Sequence, residues 1–155
     1  MTKLSAGILL YRFRDGEPEV LIVHPGGPFW KNKDLGAWSI PKGEYRMGQD
    51  RLKAAKREFK EELGKGVNGD FIALEPVRQS AGKIVHAFAL EHDLDATKIK
   101  SNTFPMEWPP GSGVYEDIPE VDRAEWVSLT TARRKLIQAQ AAFIDQLEEI
   151  LRKRS

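Results

Sequence analysis

Two apolar runs near the N-terminus predict the first strands of the protein. Lys3 to Phe13 and Glu19 to Val23 are rich in branched aliphatic residues, and Asp-Gly followed by Pro separates them. Such residues are typical of tight turns, so the two runs predict an antiparallel hairpin. A loop from Phe29 to Gly36 follows, and Trp38 to Ile40 predicts a further short strand.

A helical pattern covers the stretch from Arg51 to Leu63. At about 100° per residue, its regularly spaced apolar side chains form one narrow stripe, made of Leu52, Ala55, Phe59 and Leu63. Asp50 suits the N-cap position, and Gly64 or Gly66 is suited to end the helix. The stripe predicts that one flank of this helix is buried and leaves the neighbouring flank free for other tasks.

The rest of the chain predicts further strands and two C-terminal helices. The segment from Asn102 to Pro119 differs from them, because its Pro and Gly residues among aromatic side chains predict a long binding loop. The predicted strands are Phe71–Leu74, Val77–Gln79, Lys83–Glu91 and Val121–Leu129, and the predicted helices are Thr130–Leu136 and Gln138–Arg152. Because strands and helices intermix, we expect an α/β fold, a single-domain sandwich over a mixed sheet that spans residues 1–155.

The composition limits the classes of function to consider. The 155 residues carry a formal net charge of +1, with 41% hydrophobic and 30% charged residues, as is ordinary for a soluble globular domain. The near-neutral charge argues against a nucleic-acid partner, and the N-terminal apolar run is too short to span a membrane. The absence of cysteine excludes disulfides, thiolate metal sites and a cysteine nucleophile. We expect a cytoplasmic protein, and the sequence leaves its oligomeric state open.

Three glutamates crowd one arc of the predicted helix. Glu58, Glu61 and Glu62 fall within roughly 100° of one another, beside the apolar stripe. Like charges at this spacing destabilise a helix by roughly a few tenths of a kcal/mol. A cation such as Mg²⁺, which prefers carboxylate and water oxygens beside substrate phosphates, would turn the cluster into a binding site. The alternative is a solvated helix face whose acids are neutralised by Lys53, Lys56, Arg57 and Lys60.

The stretch from Gly43 to Gly64 resembles the Nudix box. That box opens with a Gly-rich turn and continues with Glu and then Arg-Glu-apolar-x-Glu-Glu-x-Gly at fixed spacing. This sequence supplies the pattern at Gly43, Arg57, Glu58, Phe59, Glu61, Glu62 and Gly64. Two positions depart from it, because Gln49 stands where the box has Glu, and Lys65 stands where it has an apolar residue.

Resemblance to the Nudix family implies an α/β/α sandwich with a mixed central sheet, and it implies a chemistry for the glutamates. Nudix enzymes hydrolyse nucleoside diphosphates linked to another moiety, with water attacking phosphorus and with Mg²⁺ or Mn²⁺ neutralising charge. By match to the box, Glu58, Glu61 and Glu62 are the expected metal ligands and catalytic residues. The Gly43 carbonyl is an additional candidate ligand.

The resemblance also implies roles for residues around the metal ligands. Arg57 is expected to take part in catalysis by orienting Glu58 rather than by contacting the substrate. The general base varies within the family, so it stays open between Glu58 and a carboxylate on a downstream loop. Glu116 and Glu120 are the candidates for that downstream carboxylate.

Several residues outside the helix are candidates for binding the substrate. Trp-Ser-Ile-Pro-Lys-Gly, which ends at Gly43, resembles the Trp-x-x-Pro-Lys-Gly segment of Nudix members that act on dinucleoside polyphosphates or inositol pyrophosphates. Lys42 is therefore a candidate phosphate ligand, and so is Lys33, with an exposed solubilising lysine as the alternative for each. The remaining candidates are loop aromatics that suit stacking on a nucleobase or, alternatively, packing in the core: Trp30, Trp108 and Tyr115.

Together these features predict a metal-dependent pyrophosphohydrolase that binds a nucleotide-type small molecule. The expected substrate is a nucleoside diphosphate linked to another moiety, with a dinucleoside polyphosphate or a nucleoside triphosphate as the first candidates. Gln49 keeps the hydrogen-bonding oxygen of the usual Glu but lacks its charge, so we expect weakened or altered metal binding, but not its loss, because the three helix carboxylates remain. The alternative that Gln49 leaves open is a nucleotide-binding module of the same fold with weak or no catalysis.

Overall fold

The computed structural model describes residues 2–80 and 82–154. Within those ranges the chain forms nine strands, three helices and two 3₁₀ turns, at Ala96–Lys98 and Gln138–Gln140. The strands are β1 Lys3–Arg14, β2 Glu17–Pro25, β3 Lys42–Tyr45, β4 Ile72–Ala73, β5 Val77–Ser80, β6 Lys83–Glu91, β7 Thr103–Glu107, β8 Tyr115–Pro119 and β9 Val121–Ser128. The helices are α1 Arg51–Leu63, α2 Leu129–Lys135 and α3 Ala141–Arg154.

Strand β1 lies at the centre of a seven-stranded sheet. It pairs in parallel with β6 on one edge and antiparallel with both β3 and β2 on the other, and β2 in turn pairs with β9. Strands β4 and β5 both pair with β6. A central strand is covered on both faces, which explains the almost uninterrupted apolar run from Ala6 to Tyr11. The mixed sheet that the sequence predicts is confirmed.

Helices cover both faces of the sheet. On one face, alternate β1 residues and the buried side of α1 form a core that contains Ala6, Ile8, Leu10, Ala55, Phe59 and Leu63. On the other face, the remaining β1 residues pack with α2 and α3 in a second core that contains Leu9, Tyr11, Ala132, Phe143, Ile144 and Leu147. The fold is therefore an α/β/α sandwich, as expected.

Helix α1 begins and ends at the predicted residues. The Asp50 side chain accepts a hydrogen bond from the Lys53 backbone N–H at 3.0 Å, which satisfies one of the free donors at the helix N-terminus. Gly64 ends the helix in the left-handed conformation, with a φ of 75°, and its N–H donates to the Lys60 carbonyl at 2.7 Å. These two local signals fix where the three glutamates lie along the helix.

The strand predicted for Trp38 to Ile40 is wrong, because the segment changes partner at each residue. Ser39 exchanges both backbone hydrogen bonds with Val23 of β2, at 2.8 and 3.0 Å, in an isolated bridge. Trp38 pairs instead with the segment that follows α2. The Ile40 N–H donates to the side chain of Gln140 at 2.9 Å. The segment thus connects three separate parts of the molecule.

The long loop predicted for Asn102 to Pro119 is also wrong, because β7 and β8 form a two-stranded hairpin there. Proline indicates a loop in the sequence, yet strands at a sheet edge tolerate it, since no neighbour needs the missing N–H. The connection is closed by Glu107, whose carboxylate accepts hydrogen bonds from the Gly111 and Gly113 N–H groups at 2.7 and 3.2 Å. The aromatic residues of this segment therefore lie on an ordered hairpin.

Gly43 lies in strand β3, where the sequence predicts a turn. It pairs with Ala6 of β1, and its neighbour Lys42 pairs with Gly7. Strand β2 pairs with β1 only from Tyr11 onwards, which leaves the same edge of β1 free nearer its start. Strand β3 pairs with that free edge, so Gly43 has an extended backbone. The start of the box is therefore part of the sheet.

The C-terminal helices begin near the predicted residues. Ser128 is the N-cap of α2, since its Oγ accepts a hydrogen bond from the Thr131 N–H at 3.1 Å. The prediction starts the last helix at Gln138, but a 3₁₀ turn comes first and α3 begins at Ala141. Within the described ranges, no helix is long and apolar enough to cross a membrane.

Candidate active site

The glutamate-bearing flank of α1 faces the start of β3. Glu58 packs on the backbone of Gly43, so closely that a Cβ atom at position 43 would overlap with the Glu58 carboxylate. Glycine alone leaves room for this contact, because every other residue carries that atom. Gly43 therefore determines how near α1 lies to the sheet.

Glu58 is largely shielded from solvent, with a side chain that is 15% exposed. Burial raises the pKa of its carboxyl group, and the negative charge of Glu61 raises it further. Arg57 opposes this rise in the pKa, because its Nη2 donates to the Glu58 Oε1 at 3.3 Å. An arginine that orients Glu58 would make this same contact.

Glu62 lies beside Lys42, which is partly buried. Burial raises the pKa of Glu62 to about 8 despite the opposing charge of Lys42, and the charges of Glu120 and Glu58 add to the rise. The Lys42 backbone N–H donates to the Glu62 Oε1 at 3.2 Å. Burial also lowers the pKa of the Lys42 ammonium, and the nearby charge of Lys83 lowers it further. One glutamate and two lysine side chains, Glu62, Lys42 and Lys83, thus lie close together.

Of the two candidates for the downstream carboxylate, Glu120 is the one that the fold brings towards α1. It connects β8 to β9, and burial together with the charge of Glu61 raises its pKa. Its carbonyl accepts a hydrogen bond from the Gly26 N–H at 3.2 Å, and its own N–H donates to the Asn102 carbonyl at 2.9 Å. Glu116, the other candidate, is exposed on β8. The structure therefore separates the two candidates.

The clustered carboxylates suit a divalent cation by their chemistry. In the part of the chain that the structure describes, no three His, Cys, Asp or Glu side chains converge in a ready-made metal site. The donors present are nevertheless carboxylate oxygens, which hard cations prefer. The raised pKa values of Glu58, Glu62 and Glu120 indicate negative charges that the surrounding protein compensates only in part. A bound cation would supply the missing compensation.

Replacing Glu62 with Gln should stabilise the metal-free protein at alkaline pH. The folded-state pKa of Glu62 is about 8, above the ordinary 4.5, so the folded protein favours the protonated carboxyl group. The contribution of Glu62 to the free energy of unfolding is therefore complete at pH values below 4.5. That contribution is lost as the pH rises through the folded-state value, whereas Gln has no such loss. Thermal unfolding in EDTA should give E62Q a higher Tm than the parent protein near pH 8.5, with a difference that narrows towards about pH 5. A lower Tm for E62Q at alkaline pH would contradict this assignment.

Gln49 closes the turn that precedes α1. Its Oε1 accepts a hydrogen bond from the Arg46 N–H at 2.8 Å, and its own N–H donates to the Arg46 carbonyl at 3.0 Å. Gly48 supports the same turn with a φ of 94°, a conformation that glycine adopts readily. The Arg46 N–H needs only an oxygen acceptor, so the turn does not require a negative charge at position 49.

A cleft of about 300 Å³ opens beside the glutamates. Its charged residues are Lys42, Glu62, Lys83 and Glu120, and its aromatic residue is Trp30. The other lining residues are mainly apolar: Val23, Pro25, Ala37, Ile40, Val121 and Ile137, with Ser39 and Gln79. The cleft therefore combines an apolar interior with charges of both signs.

A groove of about 420 Å³ runs along α1 and contains Arg57 and Glu61. Two still larger grooves lie elsewhere on the surface. They have volumes of about 690 and 730 Å³ and share Arg12 and Asp93 near the C-terminal end of β1. None of the α1 glutamates lines either groove. We therefore place the candidate site in the smaller cleft, where the titratable groups with raised or lowered pKa values meet.

The predicted substrate-binding residues divide into two groups. Lys42 and Trp30 line the cleft, and the Lys33 ammonium lies 5.1 Å from the centre of the Trp30 ring. Trp108 instead packs edge-on against Phe29, with ring centroids 5.2 Å apart, and joins the hairpin to the loop from Phe29 to Gly36. Tyr115 is 66% exposed on β8. Neither Trp108 nor Tyr115 lines the cleft.

Gln79 and Lys83 line the cleft without having been predicted as site residues. They lie on β5 and β6, in segments that the sequence identifies only as strands. Ser80 pairs with Lys83 in the ladder between these strands, so both residues lie at the same end of the sheet. Lys83 is a charged residue at the start of an apolar strand, which was an available signal, whereas β5 is mostly polar and carries no such signal at Gln79.

His24 joins the Phe29–Gly36 loop to β9 and is fully buried. Its Nε2 lies 2.7 Å from the Lys33 carbonyl oxygen, and its Nδ1 lies 2.9 Å from the Asp122 Oδ1. A carbonyl and a carboxylate are both acceptors, so a ring nitrogen that carries a proton donates in its contact. His24 thereby holds the loop that carries Trp30.

The sequence profile of the NUDIX domain matches residues 1–147. No curated protein matches this chain in sequence. The match to the domain profile therefore extends from β1 into α3 and includes every element that lines the cleft.

Solved structures resemble the chain over nearly its whole length. The C. elegans Ap4A hydrolase in a binary complex has 20% identity and a TM-score of 0.66, with 98% of this chain and 99% of that chain covered. The NUDIX domain of Shewanella oneidensis NrtR complexed with ADP ribose has 17% identity and a TM-score of 0.66, with 97% and 89% covered. The C-terminal domain of mouse MUTYH in complex with human PCNA has 18% identity and a TM-score of 0.61, with 99% and 91% covered. At these identities the likeness shows the fold.

Proposed function

The chain belongs to the Nudix family, and on this premise we propose that it is a metal-dependent pyrophosphohydrolase for a nucleoside diphosphate linked to another moiety. As a Nudix-type hydrolase it acts on phosphoanhydride bonds. We infer a dinucleoside polyphosphate or a nucleoside triphosphate as the substrate. The proposal rests on the meeting of Glu62, Glu120 and Lys42 at one cleft, beside the α1 flank that carries Glu58.

Nudix hydrolases generally need divalent metal ions, and we propose Mg²⁺ or Mn²⁺ for this chain. Glu58, Glu61 and Glu62 would hold the ion, with the Gly43 carbonyl as an additional ligand. When bound, such a cation supplies charge neutralisation at phosphate oxygens. Arg57 would keep Glu58 in a productive orientation through the 3.3 Å contact between them.

Proton transfer from the attacking water falls to Glu58 or Glu120 in this proposal. Burial raises the pKa of each carboxyl group, so each accepts a proton more readily than an exposed glutamate does. Glu120 is supported over Glu116 as the downstream carboxylate, because only Glu120 lines the cleft. Lys42 would contribute an ammonium group to bind a phosphate.

A nucleotide-type substrate agrees with two of the similar structures. One of those proteins is named as an Ap4A hydrolase, and the other is a domain complexed with ADP ribose. Trp30, at the wall of the cleft, offers a surface on which a nucleobase could stack. A cytoplasmic location and a single domain over residues 1–155 stay predictions.

Hydrolysis assays test the proposal directly. The purified protein should be incubated with Mg²⁺ or Mn²⁺ and with diadenosine polyphosphates, the four nucleoside triphosphates, ADP-ribose, NADH and a capped RNA. We expect turnover of at least one nucleotide and loss of that turnover in EDTA. Product formation no greater than that of E62Q on every substrate would overturn the proposal.

Replacing Gln49 with Glu should leave stability, and activity at saturating metal, almost unchanged. Glu retains the oxygen that accepts from the Arg46 N–H, so kcat and Tm should stay within about threefold and about 2 °C of the parent values. Gln49→Ala removes the acceptor and is the matched comparison, with an expected loss of roughly 1 kcal/mol in the free energy of unfolding. Activity that appears only in Q49E would favour the nucleotide-binding module without catalysis.

A further inference from the structure

A relay of two glutamine amides, one of them fully buried, fixes which atom Gln79 presents to the cleft. Gln140 is fully buried, and its Oε1 accepts a hydrogen bond from the Ile40 backbone N–H at 2.9 Å. Because a backbone N–H can only donate, this contact determines the orientation of the Gln140 amide. Its Nε2 therefore points the other way, where it donates to the Ser39 Oγ at 3.1 Å and to the Gln79 Oε1 at 2.8 Å.

The orientation of the Gln79 amide follows from the same relay. Its Oε1 accepts from Gln140, so its Nε2, with two N–H donors, is the end left for another partner. Within the described ranges, this Nε2 has no hydrogen-bond acceptor from the protein and is not buried away from solvent. Since Gln79 lines the cleft, a bound molecule can accept from it.

The other walls of the cleft suit a flat ring joined to phosphates. Trp30 and apolar side chains such as Val23 and Ile40 offer surfaces for a nucleobase. Lys42 and Lys83 bring two ammonium groups into the same cleft, where phosphate oxygens would separate and neutralise them. A nucleotide seated in this way places the polar edge of its base against a remaining polar side chain, and Gln79 is available for that contact.

We propose that Gln79 is a specificity-determining residue that favours nucleobases with a carbonyl oxygen at the edge facing it. Guanine and uracil present such an acceptor. Adenine and cytosine carry an amino group at the corresponding position, so their N–H groups would face those of Gln79 and leave donors unpaired. This proposal rests on the proposed function for the class of substrate and adds the choice of base.

Paired hydrolysis assays test the role of Gln79. For the parent protein we expect kcat/KM for GTP and UTP to exceed kcat/KM for ATP and CTP by roughly tenfold, the effect of one neutral hydrogen bond gained or lost. Q79L removes the donors at similar volume and should reduce this preference to within about twofold. Q79E still accepts from Gln140 but presents an oxygen in place of the N–H groups, so its preference should reverse towards ATP and CTP.

A matched control comes from another glutamine. Gln146 joins α3 to the backbone of Glu75 through two hydrogen bonds and does not line the cleft, so Q146L should leave the base preference unchanged. The Tm of each variant shows that it is folded. If Q79L does not fold, the reversal expected in Q79E decides the question by itself.

The outcomes separate this proposal from the proposed function. Equal kcat/KM values for the two base classes in the parent protein, or a preference that Q79L retains, would overturn the role of Gln79 while the hydrolase remains. If no nucleotide is hydrolysed, calorimetry with GMP and AMP tests Gln79 without catalysis. Tighter binding of GMP that Q79L abolishes would then support the role of Gln79, and equal binding of both would overturn it.

Discussion

Replacing Glu62 with Gln is expected to lower kcat by roughly 10²–10⁴-fold, the range found for a positioned group that handles charge or protons during catalysis. The substitution keeps the acceptor for the Lys42 N–H but removes a carboxylate from the proposed metal ligands. Steady-state hydrolysis of the best substrate in the panel, at saturating metal, measures the effect. Metal-free E62Q should be at least as stable as the metal-free parent protein at alkaline pH, and the Tm of both proteins under the assay conditions shows that the loss reports chemistry and not unfolding.

The control for this prediction is a glutamate remote from the cleft. Glu17 is exposed at the start of β2, so Glu17→Gln makes the same chemical change with no expected change in kcat. Titration with Mn²⁺ adds a second readout, because loss of a ligand should raise the metal concentration needed for half-maximal activity. An E62Q protein with parental kcat and parental metal dependence would exclude Glu62 from the metal site.

Gly43→Ala should damage both stability and activity. The new Cβ overlaps with the Glu58 carboxylate, so α1 must shift or Glu58 must turn away. Overpacking of this kind costs about 1–3 kcal/mol in the free energy of unfolding. A displacement of about 1 Å in a catalytic group can cost roughly 10²-fold in rate, and we expect a loss in kcat of at least that size. Urea denaturation and kinetics together measure the two effects.

Gly66→Ala is the matched control for Gly43→Ala. No atom lies within 4 Å of a Cβ built at Gly66, so Ala should fit there without displacing a neighbour. Its stability and kcat should equal or slightly exceed those of the parent protein, since alanine restricts the unfolded chain. If G43A retained parental kcat, the close packing of Glu58 on the backbone would have no part in catalysis.

The parts of the fold that the sequence predicts well are those whose signals are local. Helix α1 is bounded by Asp50 and Gly64, each within a few residues of the groups it contacts, so its limits agree with the prediction. The Trp38–Ile40 segment is different, because Ile40 bonds to Gln140, one hundred residues away along the chain. Gln140 ends the 3₁₀ turn before α3, and the packing of that turn against the sheet is not revealed by any local pattern.

The hairpin of β7 and β8 shows a second limit. Its prolines favour a loop on local grounds, and its pairing becomes favourable because the hairpin base lies against β2. The Pro119 carbonyl lies so close to Gly26 that a side chain at position 26 would overlap with it. Docking at this glycine decides that Glu120 lies in the cleft and that Glu116 stays outside.

The candidate site divides in the same way. Glu58, Glu61 and Glu62 lie on one helix, so helical periodicity alone brings them together. Gln79 and Lys83 enter the cleft through strand pairing, and the structure is needed to identify them. The chemistry proposed for this family member therefore follows from a short motif, whereas the selection of the base depends on the tertiary structure.

The position of Gln140 has a consequence for the newly synthesised chain. Glu62, the last of the α1 glutamates, is translated 78 residues before Gln140. Until it is in place, Ile40 and Gln79 lack the partner that orients them. A nascent chain on the ribosome would thus contain its three helix glutamates well before it contains the residue on which the proposed base selection depends.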